Sequence, residues 1–448
     1  MDVLRFLESH ASIAERMNQV NPAEYERYNV KRGLRNLDGT GVLVGLTEIG
    51  DVHGYIMDEG ERVPVEGRLR YRGIDVRDIV SGFQSSRRKG FEEVVYLLLF
   101  GELPNASSLE QFAETLGGLR TLPDNFTEDM ILKAPSSNIM NKLARSVLSY
   151  YSFDENAEDE SLTNVLRQSI TLIAALPTMT AYAFQAKSHY YDEQSLVIHS
   201  PNPEIGSAEN LLHMIRANSE YSELEAALLD LCLVLHAEHG GGNNSAFTIH
   251  VVSSSATDTY SAVAAAIGSL KGTRHGGANI KVVEMMDDIK ANVKDWTSEK
   301  EVGAYIEKII SKQAFDGSGL VYGMGHAVYT LSDPRAVLLK SRAAELAKEK
   351  DMQPEMRLYE LVETLTPEIF ERVKGSSKLI APNVDFYSGF VYSMLGIPRE
   401  LFTPIFAISR IAGWCAHRLE EILVGGRIIR PAYKCVVPPK RYQPLQQR

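Results

Sequence analysis

The run LEAALLDLCLVLHAEHGGGNN, residues 224–244, is apolar on most of its faces. A helix that is apolar all round must be covered on every side, so it belongs at the centre of a large helical protein. At 448 residues the chain exceeds one comfortable core, which predicts two domains. Residues 1–35 read as a polar, partly helical arm. Between Val42 and Gly73, β-branched residues alternate with Gly, Asp-Glu-Gly and Pro, which predicts a few short strands. Everything after that segment reads as helical almost to the end. The fold class is mainly α, with a short β-meander near the N-terminus.

Helix starts are well marked. Ser107 with Glu110 and Ser222 with Glu225 have the capping-box spacing. Asp258 can cap the run TYSAVAAAIGSLK, and Gly272 can close it. Asp333-Pro334 pairs an N-cap with a first-turn proline, and Thr366-Pro367 repeats the device. The helix after Asp385 should stop near Gly396, with Pro398 just beyond. Beyond Asn279 the helices become amphipathic and lysine-rich, then apolar again from Gly396 to Leu423. These shifts divide the chain into a large domain (1–280, with the arm), a small exposed domain (281–389) and a return to the large domain (390–448). The last stretch, VVPPKRYQPLQQR, reads as an extended tail.

Several functions are disfavoured by composition. The formal charge is −11, from 47 basic and 58 acidic residues, whereas nucleic-acid binding wants a basic surface. Cys232, Cys415 and Cys435 make no CxxC pair and no disulfide framework, as in a reducing compartment. The apolar stretch Thr171–Phe184 is short and interrupted by Pro177, so no membrane span is expected. Asp2, Glu8, Glu15, Glu24 and Glu26 near the start argue against a transit peptide, and the cytoplasm is the expected location.

Three distant segments each place one ionisable side chain among glycines and small residues: GTRHGGAN at His275, GMGHAVY at His326 and PNVDFYSG at Asp385. Two imidazoles and a carboxylate can move protons on and off carbon and oxygen. His275 precedes a helix start, where the dipole should lower its pKa and leave a neutral hydrogen-bond donor, suited to an enol oxygen; it can equally be a turn histidine. His326 can present an N–H to a carbonyl oxygen, or sit in an exposed loop. The glycines before it do not fit the GxGxxG spacing. Asp385 can be a base for a carbon-bound proton or simply a helix N-cap. Arg335 lies in a first helical turn, where a cation opposes the dipole, so either Asp333 or an external anion must compensate it. Arg410 and Arg430 stand in or beside apolar stretches and call for carboxylate partners, internal or bound. His236 and His239 could be half a metal site, but no second ligand pair is nearby; His239, before GGGNN, is better placed to touch a ligand.

Taken in order, LHAEHGGGNNSAFT, LKGTRHGGAN, GMGHAVYTLSDPR, PNVDFYSG, ISRIAG and IIRPAY resemble the citrate synthase family, as do GRLRYRGIDV and FEEVVYLLLFGELP upstream. The resemblance covers residues 40–435 and looks most like the bacterial members. It implies a two-domain helical fold whose small domain closes over oxaloacetate and acetyl-CoA. Asp385 would take a methyl proton from acetyl-CoA, His275 would stabilise the enol, and His326 would polarise the oxaloacetate carbonyl. His239, Arg335 and Arg410 would hold oxaloacetate, with Arg430 supplied by the other subunit of a homodimer. Citryl-CoA would be hydrolysed to citrate and CoA, with no metal or redox cofactor and the CoA thioester as a substrate. The adenine end would rest on the backbone around Val321, Tyr322, Gly323, Met324 and Gly325. Two positions depart from the family pattern: Gln185 and the Thr330-Leu331 pair stand where many relatives carry a cation for the CoA phosphates. Lys187, Lys340 and Arg342 are the replacement candidates. Rival readings are a 2-methylcitrate synthase acting on propionyl-CoA, a citryl-CoA lyase, and a non-catalytic sensor.

Overall fold

The computed structural model describes residues 3–36, 38–59, 61–376 and 379–447. Contacts divide the chain into two units, Met1–Leu46 with Ile429–Arg448, and Thr47–Ile428. The first unit carries the helix Val3–Met17, which buries none of its residues, and the short helix Pro22–Arg27, opened by Asn21 accepting the Ala23 N–H. The tail is extended apart from one 3-10 turn at Leu445–Gln447.

In the second unit the apolar run forms the helix Glu223–His236, and all but Glu223, Leu224 and Ala227 are buried. Ser222 and Glu225 close the expected capping box. The helix packs against Phe91–Phe100, Ser207–Ile215, Pro334–Glu349, Val384–Met394 and Phe402–Val424, which together cover its faces. Its one mid-helix acid, Asp230, accepts the N–H groups of Gly90 (2.7 Å) and Phe91 (3.2 Å). It thereby satisfies orphan donors at the start of Phe91–Phe100, whose glycine N-cap cannot do so itself.

The helix Phe402–Val424 is buried from Phe402 to Leu419 and ends at Gly425 in the left-handed conformation. It approaches the end of Glu223–His236 closely at Gly413. A Cβ there would lie 2.5 Å from the Ala237 carbonyl oxygen and 2.3 Å from the Glu238 carboxylate. Only glycine permits that approach, which carries Arg410 up to the segment that carries His239.

The sheet is a three-stranded antiparallel meander, Gly50–Asp58, Glu61–Tyr71 and Ile74–Asp75. The first two strands are longer than the sequence suggested, at 9 and 11 residues. Tyr71 is fully buried and donates its hydroxyl to the Val234 carbonyl at 2.9 Å, pinning the sheet to the last turn of the central helix.

Most helix punctuation falls where expected. Asp258 caps Thr259–Lys271, Asp333 caps Pro334–Glu349, and Val384–Met394 stops before Gly396. Two boundaries differ. Asn105, not Ser107, caps Ala106–Gly118, because its side chain reaches the Ser108 N–H first. Pro367 does not start a helix but lies inside Gln353–Lys374. Thr366 turns its hydroxyl back to the Val362 carbonyl instead of capping, and packing of Met356, Leu358, Leu361, Val362 and Ile369 carries the helix past the missing N–H.

Candidate active site

Arg410 is fully buried, and its Nε donates to the His236 carbonyl at 2.6 Å. Both terminal nitrogens are sealed from solvent without a hydrogen-bond partner among the described residues. Burial lowers its pKa to about 10, with Glu238 opposing, yet the group stays charged at neutral pH. The Phe406 ring lies 4.8 Å below it. A charged fork left with four N–H groups unused in the interior costs on the order of several kcal/mol unless an anion enters.

Arg335 presents the other cation. Its Nε and Nη2 grip Asp333 at 3.0 and 2.7 Å, so Asp333 is the compensating acid foreseen as one alternative. Asp333 also accepts the N–H of Arg335 (3.0 Å) and of Val384 (3.3 Å), joining the starts of two helices. Among the described residues Nη1 of Arg335 has no hydrogen bond, which leaves one end of the fork for a ligand.

Asp385 sits just inside the second of those helices. Asn383 supplies the cap, accepting the Asp385 N–H at 3.0 Å, so Asp385 is not the N-cap. No donor among the described residues hydrogen-bonds its carboxylate. Burial raises its pKa to about 6, with Arg335 opposing, Asp333 adding and Arg410 opposing. It is therefore ionised at pH 7 and poorly stabilised in that form, as a proton-abstracting base should be.

The histidines around these groups are arranged as neutral rings. His239 has its pKa pushed far down by burial and by Arg335, His326 and Arg410. Its ring meets His326 edge to face, centroids 5.2 Å apart, and Tyr329 at 5.6 Å. The Nδ1 of His326 accepts two backbone N–H groups, from Val328 (3.0 Å) and Tyr329 (3.1 Å). A nitrogen that accepts cannot carry a proton, so the neutral ring is protonated at Nε2. His275 has its pKa lowered to about 4, chiefly by burial and then by Arg410; the helix start is not the main cause. Its Nε2 lies 3.0 Å from Ser245 Oγ, which also accepts the Trp414 indole N–H at 3.0 Å. His236 is held by Nδ1–H donation to the Cys232 carbonyl at 2.8 Å, and its pKa falls to about 3 through burial. That bond is the ordinary helix-end role, not half of a metal site.

The residues expected near CoA are less exposed to a ligand. The loop at Val321–Gly325 is zipped to residues 381–383: Gly325 N–H donates to Ala381, Asn383 N–H to Gly323, and the Asn383 side chain to Gly325. Gly323 is in the left-handed region, and a Cβ there would meet Val282 and Phe386 within 2.8 Å. Met324 bridges Pro382, and Tyr322 donates to Asp316. Each candidate phosphate cation is already in an ion pair: Lys340 with Glu363, Arg342 with Glu345, Lys187 with Asp192 and Glu400. Gln185 is buried and donates to the Ile215 carbonyl, and the Thr330 hydroxyl is buried, so neither position opens to solvent for a phosphate. Arg430 is an exposed residue of the other unit.

Residues 36–432 match the family model described as "Citrate synthase, C-terminal domain". The chain belongs to the citrate synthase family. It is 35% identical to a citrate synthase of Haloferax volcanii over 407 residues, 90% of this chain and 94% of the relative. It is 32% identical to a 2-methylcitrate synthase of Mycobacterium tuberculosis over 422 residues, 94% of each chain. The solved citrate synthase of Pyrobaculum aerophilum superposes with a TM-score of 0.73 at 30% identity, covering 91% of this chain and 94% of that one. The ternary complex of carboxymethyl coenzyme A and oxaloacetate with the Thermoplasma acidophilum citrate synthase reaches a TM-score of 0.76 at 25% identity, covering 94% of this chain and 99% of that one. Several supporting groups escaped the sequence reading: Asn383, Ser245, Trp414, Tyr329 and Glu238. Asn383 stood two residues before Asp385 in a quoted motif, which was the available signal; Ser245, 30 residues from His275, shared only membership of a quoted motif.

The raised pKa of Asp385 has a thermodynamic sign. The folded chain binds its proton more tightly than the unfolded one, so ionised Asp385 lowers stability in full above about pH 6; the penalty shrinks as pH falls from there and is gone below the unfolded carboxylate range. Asp385→Asn is expected to unfold later than the parent at pH 8, by roughly 2–3 kcal/mol, and with no advantage at pH 4. Equal unfolding of the two chains at pH 8 would contradict the buried, poorly solvated carboxylate.

Proposed function

We propose that this enzyme condenses acetyl-CoA with oxaloacetate to give citrate and CoA. The observation that carries the reading is Arg410, whose two sealed and unpaired terminal nitrogens stand among neutral imidazoles and an acid titrating near 6. A dicarboxylate supplies the missing negative charge, with Arg410 and Arg335 taking its carboxylates and His239 adding a neutral contact. His326, protonated at Nε2, donates to the ketone oxygen and polarises the carbon to be attacked.

Asp385 then removes a methyl proton from acetyl-CoA, and a neutral His275 donates to the thioester oxygen as it becomes an enol. Ser245 Oγ, itself held by Asn243 Oδ1 and the Trp414 indole, meets that ring at Nε2 and fixes its orientation, which leaves Nδ1 to face the substrate. A single such donor to a developing oxyanion is worth about 3–4 kcal/mol. Attack of the enol carbon on the ketone forms the new carbon bond, and His326 gives its proton to the alkoxide. Water hydrolyses the resulting citryl-CoA thioester. Closure of the small helical domain, residues 281–389, keeps water out until that bond exists. No metal or redox cofactor enters these steps.

The backbone of Val321, Tyr322, Gly323, Met324 and Gly325 supports the adenine end. Lys340 and Arg342 exchange their carboxylate partners for CoA phosphates, an exchange that surface ion pairs of about 0–1 kcal/mol permit. The functional unit is a homodimer in which Arg430 reaches the partner's oxaloacetate.

The decisive assay is thiol release with oxaloacetate and either acetyl-CoA or propionyl-CoA. Faster release, by kcat/KM, from acetyl-CoA is expected. Preference for propionyl-CoA would make the enzyme a 2-methylcitrate synthase, as some relatives are named; no release from either would overturn the condensing reading. For the shared site, inactive Arg430→Ala subunits mixed with inactive His275→Ala subunits should regain part of the activity in hybrid dimers. No recovery in hybrids verified by mass would place Arg430 in its own subunit's site.

A further inference from the structure

Behind the segment that carries His239, a second group of ionisable side chains converges. His417 and Glu420 are three apart on the helix Phe402–Val424, hence on one face, and His250 comes from the helix Asn244–Ser253. One ligand atom from each of His250, His417 and Glu420 lies within 4.8 Å of the other two. His250 Nε2 and His417 Nδ1 are 3.1 Å apart, and His417 Nδ1 is 3.8 Å from Glu420 Oε2. Ligands about 2.0–2.2 Å from a tetrahedral Zn2+ stand about 3.3 Å from each other, within that spread.

The outer contacts are those a metal-binding histidine requires. His417 Nε2 meets Glu238 Oε1 at 3.0 Å, and His250 Nδ1 meets Glu421 Oε2 at 2.8 Å. Each ring thus has a carboxylate behind it and turns its other nitrogen toward the common centre, the carboxylate–histidine–metal arrangement. An independent observation points the same way: Glu420 Oε2 is sealed from solvent and lacks a hydrogen-bond partner among the described residues. Half-buried Gly241 lies against the pair of rings, where a Cβ would sit 3.5 Å from both His250 Nε2 and His417 Cε1.

We propose that His250, His417 and Glu420 bind one divalent transition-metal ion of the Zn2+ class, with water completing its coordination. The ion takes no part in the condensation. Glu238 accepts the Gly240 N–H as well as His417, so the ion braces the His239 segment against the helix that carries Arg410.

The test is Co2+ binding to the full chain after dialysis against a chelator. One Co2+ per chain is expected, with the strong visible absorption of four- or five-coordinate cobalt, bleached by Zn2+. His250→Gln and Glu420→Gln should each lose that absorption while keeping the parent's circular dichroism; if the first misfolds, the second decides. No stoichiometric uptake by the parent, or the same absorption in a folded variant, would overturn the site.

Discussion

A guanidinium with two of its three nitrogens sealed and unpaired is the constraint on which the rest of this structure depends. Arg410 cannot be a packing residue, since a methionine of similar length would fill the space without the desolvation cost. Nor does an internal salt bridge fix it among the described residues, where its one hydrogen bond runs from Nε to a backbone carbonyl. What holds it there is covalent position, on a helix buried along most of its length and brought against the central helix by Gly413. The charge is kept for something that enters.

That uncompensated charge sets the protonation of its neighbours. His239 and His275 are pushed toward neutrality by burial first and by Arg410 among the next causes, and Asp385 is held below what burial alone would impose by Arg335 and Arg410. Neutral imidazoles can donate without being strong acids, and a carboxylate near 6 is basic yet ionised at pH 7. Under the proposed reaction, one field serves both anion binding and proton transfer. Asp333 does the complementary work: it fixes Arg335 bidentately while accepting the Val384 N–H, so Arg335 and the helix that carries Asp385 meet at one corner.

Much of this was legible in the chain. The all-round apolar run fixed a central helix, and Ser222, Asp258 and Asp333 marked helix starts because capping is local chemistry. His275, His326, Asp385, Arg335 and Arg410 could be named from their glycine- and proline-rich settings, and the family resemblance gave them roles. Asn383 and Asp385 could not be told apart as caps, since both are short polar residues two positions apart at one helix start. Pro367 read as a helix start because its context, a helix held by packing on both sides, is tertiary. The contacts of Trp414 with Ser245 and of His417 with Glu238 span 169 and 179 residues, beyond any local rule. The ion pairs that occupy Lys340, Arg342 and Lys187 were equally hidden, because sequence shows a cation but not its partner.

The most direct test of the claim that Arg410 serves the ligand, not the fold, is oxaloacetate titration calorimetry on Arg410→Met, with thermal unfolding of the same preparation. Loss of one partner of a buried charge pair costs about 2–5 kcal/mol, so affinity should fall by roughly 30-fold or more. Unfolding should occur at the parent's temperature or above it, because a buried unpaired charge has been removed. A variant that binds oxaloacetate as the parent does but unfolds early would show that the guanidinium is structural, and would contradict the account.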